Sequence, residues 1–225
     1  NVTSGTRKIV RIKDFPEMPT GSQTWTAWVK LDARSNNGNG QDVFGQWDYT
    51  TNQKGAIIYI PSTGKPKFYI GDNSNNVISV ESAVTSYANA WYHIAGTYNS
   101  LSQSLKIYIN GSLSNTNTSS IPSAIKNSSV DIEIGSRDSI NDLFLAGKIA
   151  DCRIYDADIG ASAIADLAVG TDYRTNLVGQ WLTNSDDLLD HSGNNHHAYL
   201  LHNEVVKHHA DNLESPEFSI EGPLP

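Results

Sequence analysis

Residues 91–113 read WYHIAGTYNSLSQSLKIYINGSL, and this stretch decides the fold class. Leu105, Ile107 and Ile109 alternate with Lys106, Tyr108 and Asn110, the period of two that gives a strand one apolar and one polar face. Asn110-Gly111 follows directly, and both residues tolerate the positive φ that a type I′ hairpin turn demands. Upstream, Trp91, Tyr92, Ile94 and Tyr98 suit a half-buried pleated surface. Strands this aromatic need a second sheet to bury against.

Runs of the same character recur on either side, at residues 7–12, 25–31, 43–47, 56–60, 67–70, 77–80, 130–134 and 149–155. Short strands separated by Gly-, Pro-, Asn- and Asp-rich turns predict an antiparallel sandwich. Trp25, Ala27, Val29 and Leu31 share one face, and Trp25 and Trp91 are both expected in the core. Residues 114–129, mostly Ser, Thr, Asn and Pro, predict a long exposed connection. One helix is predicted at 160–169, where Ile164, Leu167 and Ala168 fall on one face.

Composition narrows the function. A chain of 225 residues suits one sizeable sandwich. With 16 Lys and Arg against 24 Asp and Glu the net charge is −8, and no basic cluster is present to displace counterions from a phosphate backbone, which disfavours nucleic acid. No apolar run approaches the ~20 residues that span a bilayer. The single cysteine, Cys152, lies in a strand in phase with Ala150 and Ile154 and reads as a small buried hydrophobe. The chain begins at Asn1 with neither initiator methionine nor signal peptide, as expected of a processed form or a domain of a larger protein.

The ordered set WYHIAGTYN, LKIYINGSL, IEIGSR (132–137), FLAGKIADCRIYDADIGASAIADL (144–167) and WTAWVKL (25–31) resembles the laminin G-like jelly roll of the concanavalin A-like lectin/glucanase superfamily, over most of residues 7–169. The resemblance implies an all-β fold, a two-sheet antiparallel β-sandwich (jelly roll) with one short helix near 160–169. The tail, LVGQW (177–181) and DHSGNNHHAYL (190–200), resembles the segment that opens domains of this family, yet here it comes last. Residues 177–202 are therefore either edge strands folded back onto the same sandwich in permuted order or the start of a second repeat. The expected domain is 1–202, with 203–225 an extended tail or linker. Permuted pairing would place Val178, Trp181 and Leu200 in the core, because exposing them forgoes ~25 cal/mol per Å² of apolar area.

Glycoside hydrolases on this scaffold use two carboxylates from one strand, in a Glu-X-Asp-X-X-Glu pattern. That pattern is absent: Asp131 and Glu133 come nearest, with Ser136 in place of the last acid, and read as solvated strand carboxylates. His191, His196, His197, His202, His208 and His209 lack a metal-binding frame and read as surface or turn groups. Sugar recognition needs an aromatic face beside planar polar groups. Trp47, Asp48, Tyr49 and Asn52 gather at one strand end, Tyr69, Asp72 and Asn73 at another, and Asp138, Asn141 and Asp142 lie in a third polar loop, so these are the candidate ligand residues.

The turn Asp190–Asn195 offers the hard oxygens that calcium takes. The resemblance implies calcium there, held by Asp190, Ser192 and Asn194 with Asp151, although Ala150 stands where an Asp is common. The alternative is a tight Asx-type turn. The expected function is a non-catalytic carbohydrate-binding or adhesion module of an extracellular or surface protein, with a glycan or polysaccharide and other domains of a larger chain as partners. A structural or protein-binding domain of a virion, tail fibre or multidomain scaffold is the alternative, and a glycan-active enzyme comes third.

Overall fold

The Asn110-Gly111 turn has φ of 49° and 79°, the pair of positive values a two-residue hairpin requires. A computed structural model describes residues 8–13, 15, 18–32, 40–86, 88–137, 143–183 and 187–202. The expected ligand residues Asp138, Asn141 and Asp142 and the expected tail at 203–225 lie outside the described residues. In chain order the strands are β1 (Lys8–Ile12), β2 (Gln23–Leu31), β3 (Gln41–Asp48), β4 (Gln53–Ile60), β5 (Lys67–Gly71), β6 (Val77–Glu81), β7 (Trp91–Asn99), β8 (Ser104–Ile109), β9 (Ser112–Asn117), β10 (Ile132–Ile134), β11 (Gly147–Tyr155), β12 (Leu177–Trp181) and β13 (Ala198–His202), with helix α1 (Gly160–Ala168) after β11. They pair antiparallel in a seven-stranded sheet of order β13-β1-β10-β3-β4-β5-β6 and a six-stranded sheet of order β12-β11-β2-β7-β8-β9. Among the described residues this is the all-β sandwich with a single short helix that the sequence predicts.

Alternation decides what the two sheets bury between them. Trp25, Ala27, Val29 and Leu31 of β2 all enter the core, opposite Phe44, Ile58, Phe68 and Ile132 of the facing sheet. The Trp25 and Phe44 rings meet at 4.8 Å, and Phe44 meets Trp181 at 5.9 Å. Cys152 is fully buried among them. Helix α1 covers the outer face of the six-stranded sheet, its Ile164 packing on Ala95 and Tyr108.

Three local expectations change. Residues 114–117, expected in the exposed connection, belong to the edge strand β9; Ser-Leu-Ser-Asn-Thr-Asn carries no apolar face because an edge strand lying largely in solvent needs none. Its Asn115 and Asn117 amides donate at 2.9 Å to the carbonyls of Glu81 and Ser79 on β6, so the free edges of the two sheets clasp each other. Trp91 is half-buried and outside the core cluster, since the alternation that sends Tyr92, Ile94 and Tyr98 inward turns it outward. A β-bulge between Ala150 and Arg153, with Asp151 at φ 48°, resets the phase of β11, so Ile149 and Cys152 face inward and Ala150 does not.

The tail supplies the two remaining edges. β12 pairs with β11 through Cys152↔Trp181 and Arg153↔Gln180, while β13 pairs with β1 through Val10↔Leu200 and Arg11↔Tyr199. Trp181 is fully buried, and Val178 and Leu200 pack against the core.

Candidate functional site

Because Ile132 and Ile134 point into the core, Glu133 between them faces outward, and strand register extends that position across the seven-stranded sheet. Arg11 lies opposite Glu133, Glu133 opposite Gly45, Gly45 opposite Ile57 and Ile57 opposite Tyr69. A trough lies along this row at Gly45 and Ile57, where the glycine lets Ile57 pack close, since a Cβ there would collide with the Ile57 side chain. Trp47, Glu133, Ser136 and Arg137 stand around it.

The acids of this face are not solvated. Glu133 is 3% exposed and accepts from Arg11 Nε at 3.0 Å, Arg11 Nη2 at 2.6 Å and Ser136 Oγ at 3.0 Å, which corrects its reading as a free strand carboxylate. Asp42, which sequence reasoning missed, is brought close to Glu133 by the pairing of β10 with β3 and is fully buried. Arg137 Nε lies 3.2 Å from Asp42 Oδ2 but is not aligned for a hydrogen bond. Both Asp42 oxygens, Arg137 Nε and the Trp47 Nε1 donor therefore lack a hydrogen-bond partner among the described residues. Burial pushes the Asp42 carboxyl up to about 7 against the pull of Arg137, and Glu133 adds to the rise. Burial, with Asp42 beside it, lifts the Tyr59 phenol to about 12.

Next to this polar cluster runs a chain of rings. Trp47 meets Tyr49 at 5.8 Å and Tyr69 at 6.1 Å, and Tyr69 meets Tyr59 at 6.0 Å. Trp47 is 3% exposed, so its ring is no open platform; its neighbours shelter it, and Tyr49, at 43%, is the exposed member. Arg137 and Lys54 both lie over the Tyr49 ring, at 4.6 Å and 5.1 Å.

The other expected ligand residues divide by role. Asp48 accepts from Thr50 N, Thr50 Oγ1 and Thr51 Oγ1, each at 2.7 Å, and Asp72 accepts from Ser74 N, Asn76 N and Asn76 Nδ2, each at 2.8 Å. Both therefore build their own turns. Lys126 joins those turns, donating to Asn52 O at 2.8 Å and to Asn75 Oδ1 at 3.0 Å. Asn73 stands exposed on the same end of the sheet.

A family model described as the Concanavalin A-like lectin/glucanases superfamily matches residues 4–165. The chain belongs to this superfamily. No curated protein matches it in sequence. Among solved structures it is similar to a candidate carbohydrate binding protein from Bacteroides ovatus, at 15% identity and TM-score 0.67, covering 88% of this chain and 58% of that one. It is also similar to a heptameric SAP-like pentraxin from Limulus polyphemus, at 15% identity and TM-score 0.57, covering 74% and 78%. The binding domain of botulinum neurotoxin serotype D follows, at 18% identity and TM-score 0.57, covering 74% and 41%. At these identities the likeness is one of fold.

In this concanavalin A-like domain the residues expected to hold calcium are engaged otherwise. Asp190 Oδ1 accepts from Gln180 N at 3.0 Å and Ser192 N at 2.9 Å, while Oδ2 accepts from Ser192 Oγ at 2.8 Å and His196 N at 3.0 Å. Four protein donors fill the lone-pair directions of an ionised carboxylate. Burial raises this group, but those hydrogen bonds outweigh it and hold Asp190 below the ordinary carboxylate range. Asp151 is held by a bidentate pair from Arg153, 2.8 Å on each oxygen, and the Asn194 amide donates to Val178 O at 3.0 Å. The donor set does not fit calcium, and the described residues contain no group of three or more acids, histidines or cysteines able to hold a metal. The turn is the Asx type, braced by His197 Nδ1, which accepts from Asp190 N at 3.1 Å, and by His191, which meets Asp187 at 2.8 Å. No described helix is long and apolar enough to cross a membrane.

Proposed function

We propose that the domain is a non-catalytic carbohydrate-binding module of an extracellular or surface protein, and that its glycan lies on the outer face of the seven-stranded sheet beside Tyr49. The observation that carries this reading is the trough over Gly45, rimmed by Trp47, Ser136 and Arg137, with the exposed Tyr49 ring beside it. An exposed ring beside hydroxyl and guanidinium groups suits the apolar face and the hydroxyls of a sugar. Similarity to a candidate carbohydrate binding protein supports the same assignment.

Catalysis is disfavoured by what the two acids already do. A buried carboxyl raised to about 7 is the kind of group that serves as a general acid. Asp42, however, is 0% exposed and paired to Arg137, and Glu133 is fixed by Arg11 and Ser136, so neither is presented to a glycosidic oxygen. The test is a glycan array with pull-down on insoluble polysaccharides, run with calcium and with a chelator. We expect binding that calcium does not alter; absence of binding to every sugar in both conditions would overturn the proposal.

A further inference from the structure

The Asn52 turn gathers two ammonium groups with no carboxylate paired to either among the described residues, since Asp48 of the same turn is taken up by Thr50 and Thr51. Lys54 is only 8% exposed, and its Nζ donates to Asn52 Oδ1 at 3.1 Å while lying over the Tyr49 ring. Lys126 Nζ donates to the carbonyl of the same Asn52 and to Asn75 Oδ1. Two ammonium groups thus converge on one residue, and their partners among the described residues are amide oxygens and a ring, which carry no net charge. Asp72 is near enough for Lys126 to lower its carboxyl, but its oxygens are taken up by Ser74 and Asn76. Arg11, Arg137 and Lys67 of the same sheet each have an acid partner, in Glu133, Asp42 and Glu81.

Holding a nearly buried lysine without a counter-charge is unfavourable, and an incoming anion relieves it with charge-assisted hydrogen bonds. The chain as a whole carries −8, which repels an extended polyanion but not one acidic group on an otherwise neutral sugar. We infer that the Asn52 turn, with Lys54 and Lys126, reads a single acidic substituent, a carboxylate or a sulfate, on the bound glycan. This rests on the glycan-binding reading and narrows its ligand to acidic saccharides. Tyr49, beside both Lys54 and Arg137, takes the neighbouring ring of the same glycan.

The experiment uses the full chain on an array of matched saccharides, each present as a neutral hexose form, a hexuronate form and a sulfated form. Isothermal titration of the best hit and its matches follows, with the wild type, Lys54→Met and Lys126→Gln. The acidic members should bind about tenfold or more tighter than their neutral match, a factor worth ~1.4 kcal/mol, and each substitution should erase much of that preference while neutral-form binding persists. Lys54→Met keeps the apolar stem in place, and thermal unfolding of both variants serves as the fold control. Raising the salt should narrow the gap. Equal affinity for neutral and acidic forms would overturn this inference and leave glycan binding standing, whereas no binding to any form would overturn both. A preference confined to sulfate or to carboxylate identifies which anion the turn reads.

Discussion

Two aspartates at different corners of the sandwich are almost equally hidden, Asp190 at 7% exposure and Asp42 at 0%, and they have opposite fates. Asp190 accepts four hydrogen bonds and stays below the ordinary carboxylate range; Asp42 has none from the described residues and is pushed up to about 7. The difference is one of locality. Asp190 draws on Ser192 and His196, close along the chain, and on the neighbouring strand's Gln180, so folding the turn delivers its partners. Asp42 sits mid-sheet and depends on Arg137, supplied from far along the chain at an angle that leaves the hydrogen-bonding capacity open. The saturated aspartate fixes a turn, whereas the unsaturated one lies buried against Arg137, whose guanidinium reaches over the exposed Tyr49 ring.

The most drastic way to break the comparison is to remove the saturated corner. A chain stopped at Thr175 loses β12, β13 and Trp181, uncovering one edge of each sheet and part of the core. We predict aggregation or loss of most of the stability; cooperative melting at the temperature of the full chain would mean the tail is dispensable to the sandwich. At the unsaturated corner, Trp47→Ala should cost about 3 to 5 kcal/mol in urea unfolding, because the ring is buried between Tyr49 and Tyr69. A loss of sugar affinity at unchanged stability would instead make Trp47 a stacking platform.

The two acids should also separate by pH. Asp42, raised above its ordinary 3.8 to about 7, contributes stability that is complete below 3.8 and lost as the pH rises through about 7. Asp190, lowered, contributes stability that is present above its ordinary 3.8 and lost as the pH falls. Melting curves across pH 4 to 7 should therefore flatten in Asp42→Asn and not in Asp190→Asn. Identical slopes in both variants would contradict the assignment.

Much of the fold was legible because its signals are local. The alternation in β2 and β8, the Asn110-Gly111 turn and the Ile164 face of α1 each lie within a few residues. β9 was hidden because Asn115 and Asn117 reach the β6 carbonyls, a contact no period reveals. Trp91 could have been placed by counting outward from Ile94. For Asp190, spacing alone admitted both a cation loop and an Asx turn, and only the donors from Gln180 and His196 decide between them. The trough was harder: Asp42, Tyr59, Glu133 and Arg137 are far apart in sequence and meet through strand register and the chain following β10. One available sign was the acid immediately before Val43, where the strand in fact begins earlier, at Gln41.

The central claim, that the glycan lies on the outer face of the seven-stranded sheet, is tested most directly by titrating the best array ligand into Tyr49→Ala and Leu101→Ala. Tyr49 is the exposed ring beside the trough, and Leu101, 94% exposed, lies on the turn between β7 and β8 of the other sheet. We predict that Tyr49→Ala loses about 1 to 3 kcal/mol of affinity, by analogy with aromatic stacking on other flat ligands, and that Leu101→Ala binds as the wild type does. Unchanged binding by Tyr49→Ala, or loss only in Leu101→Ala, would contradict the account.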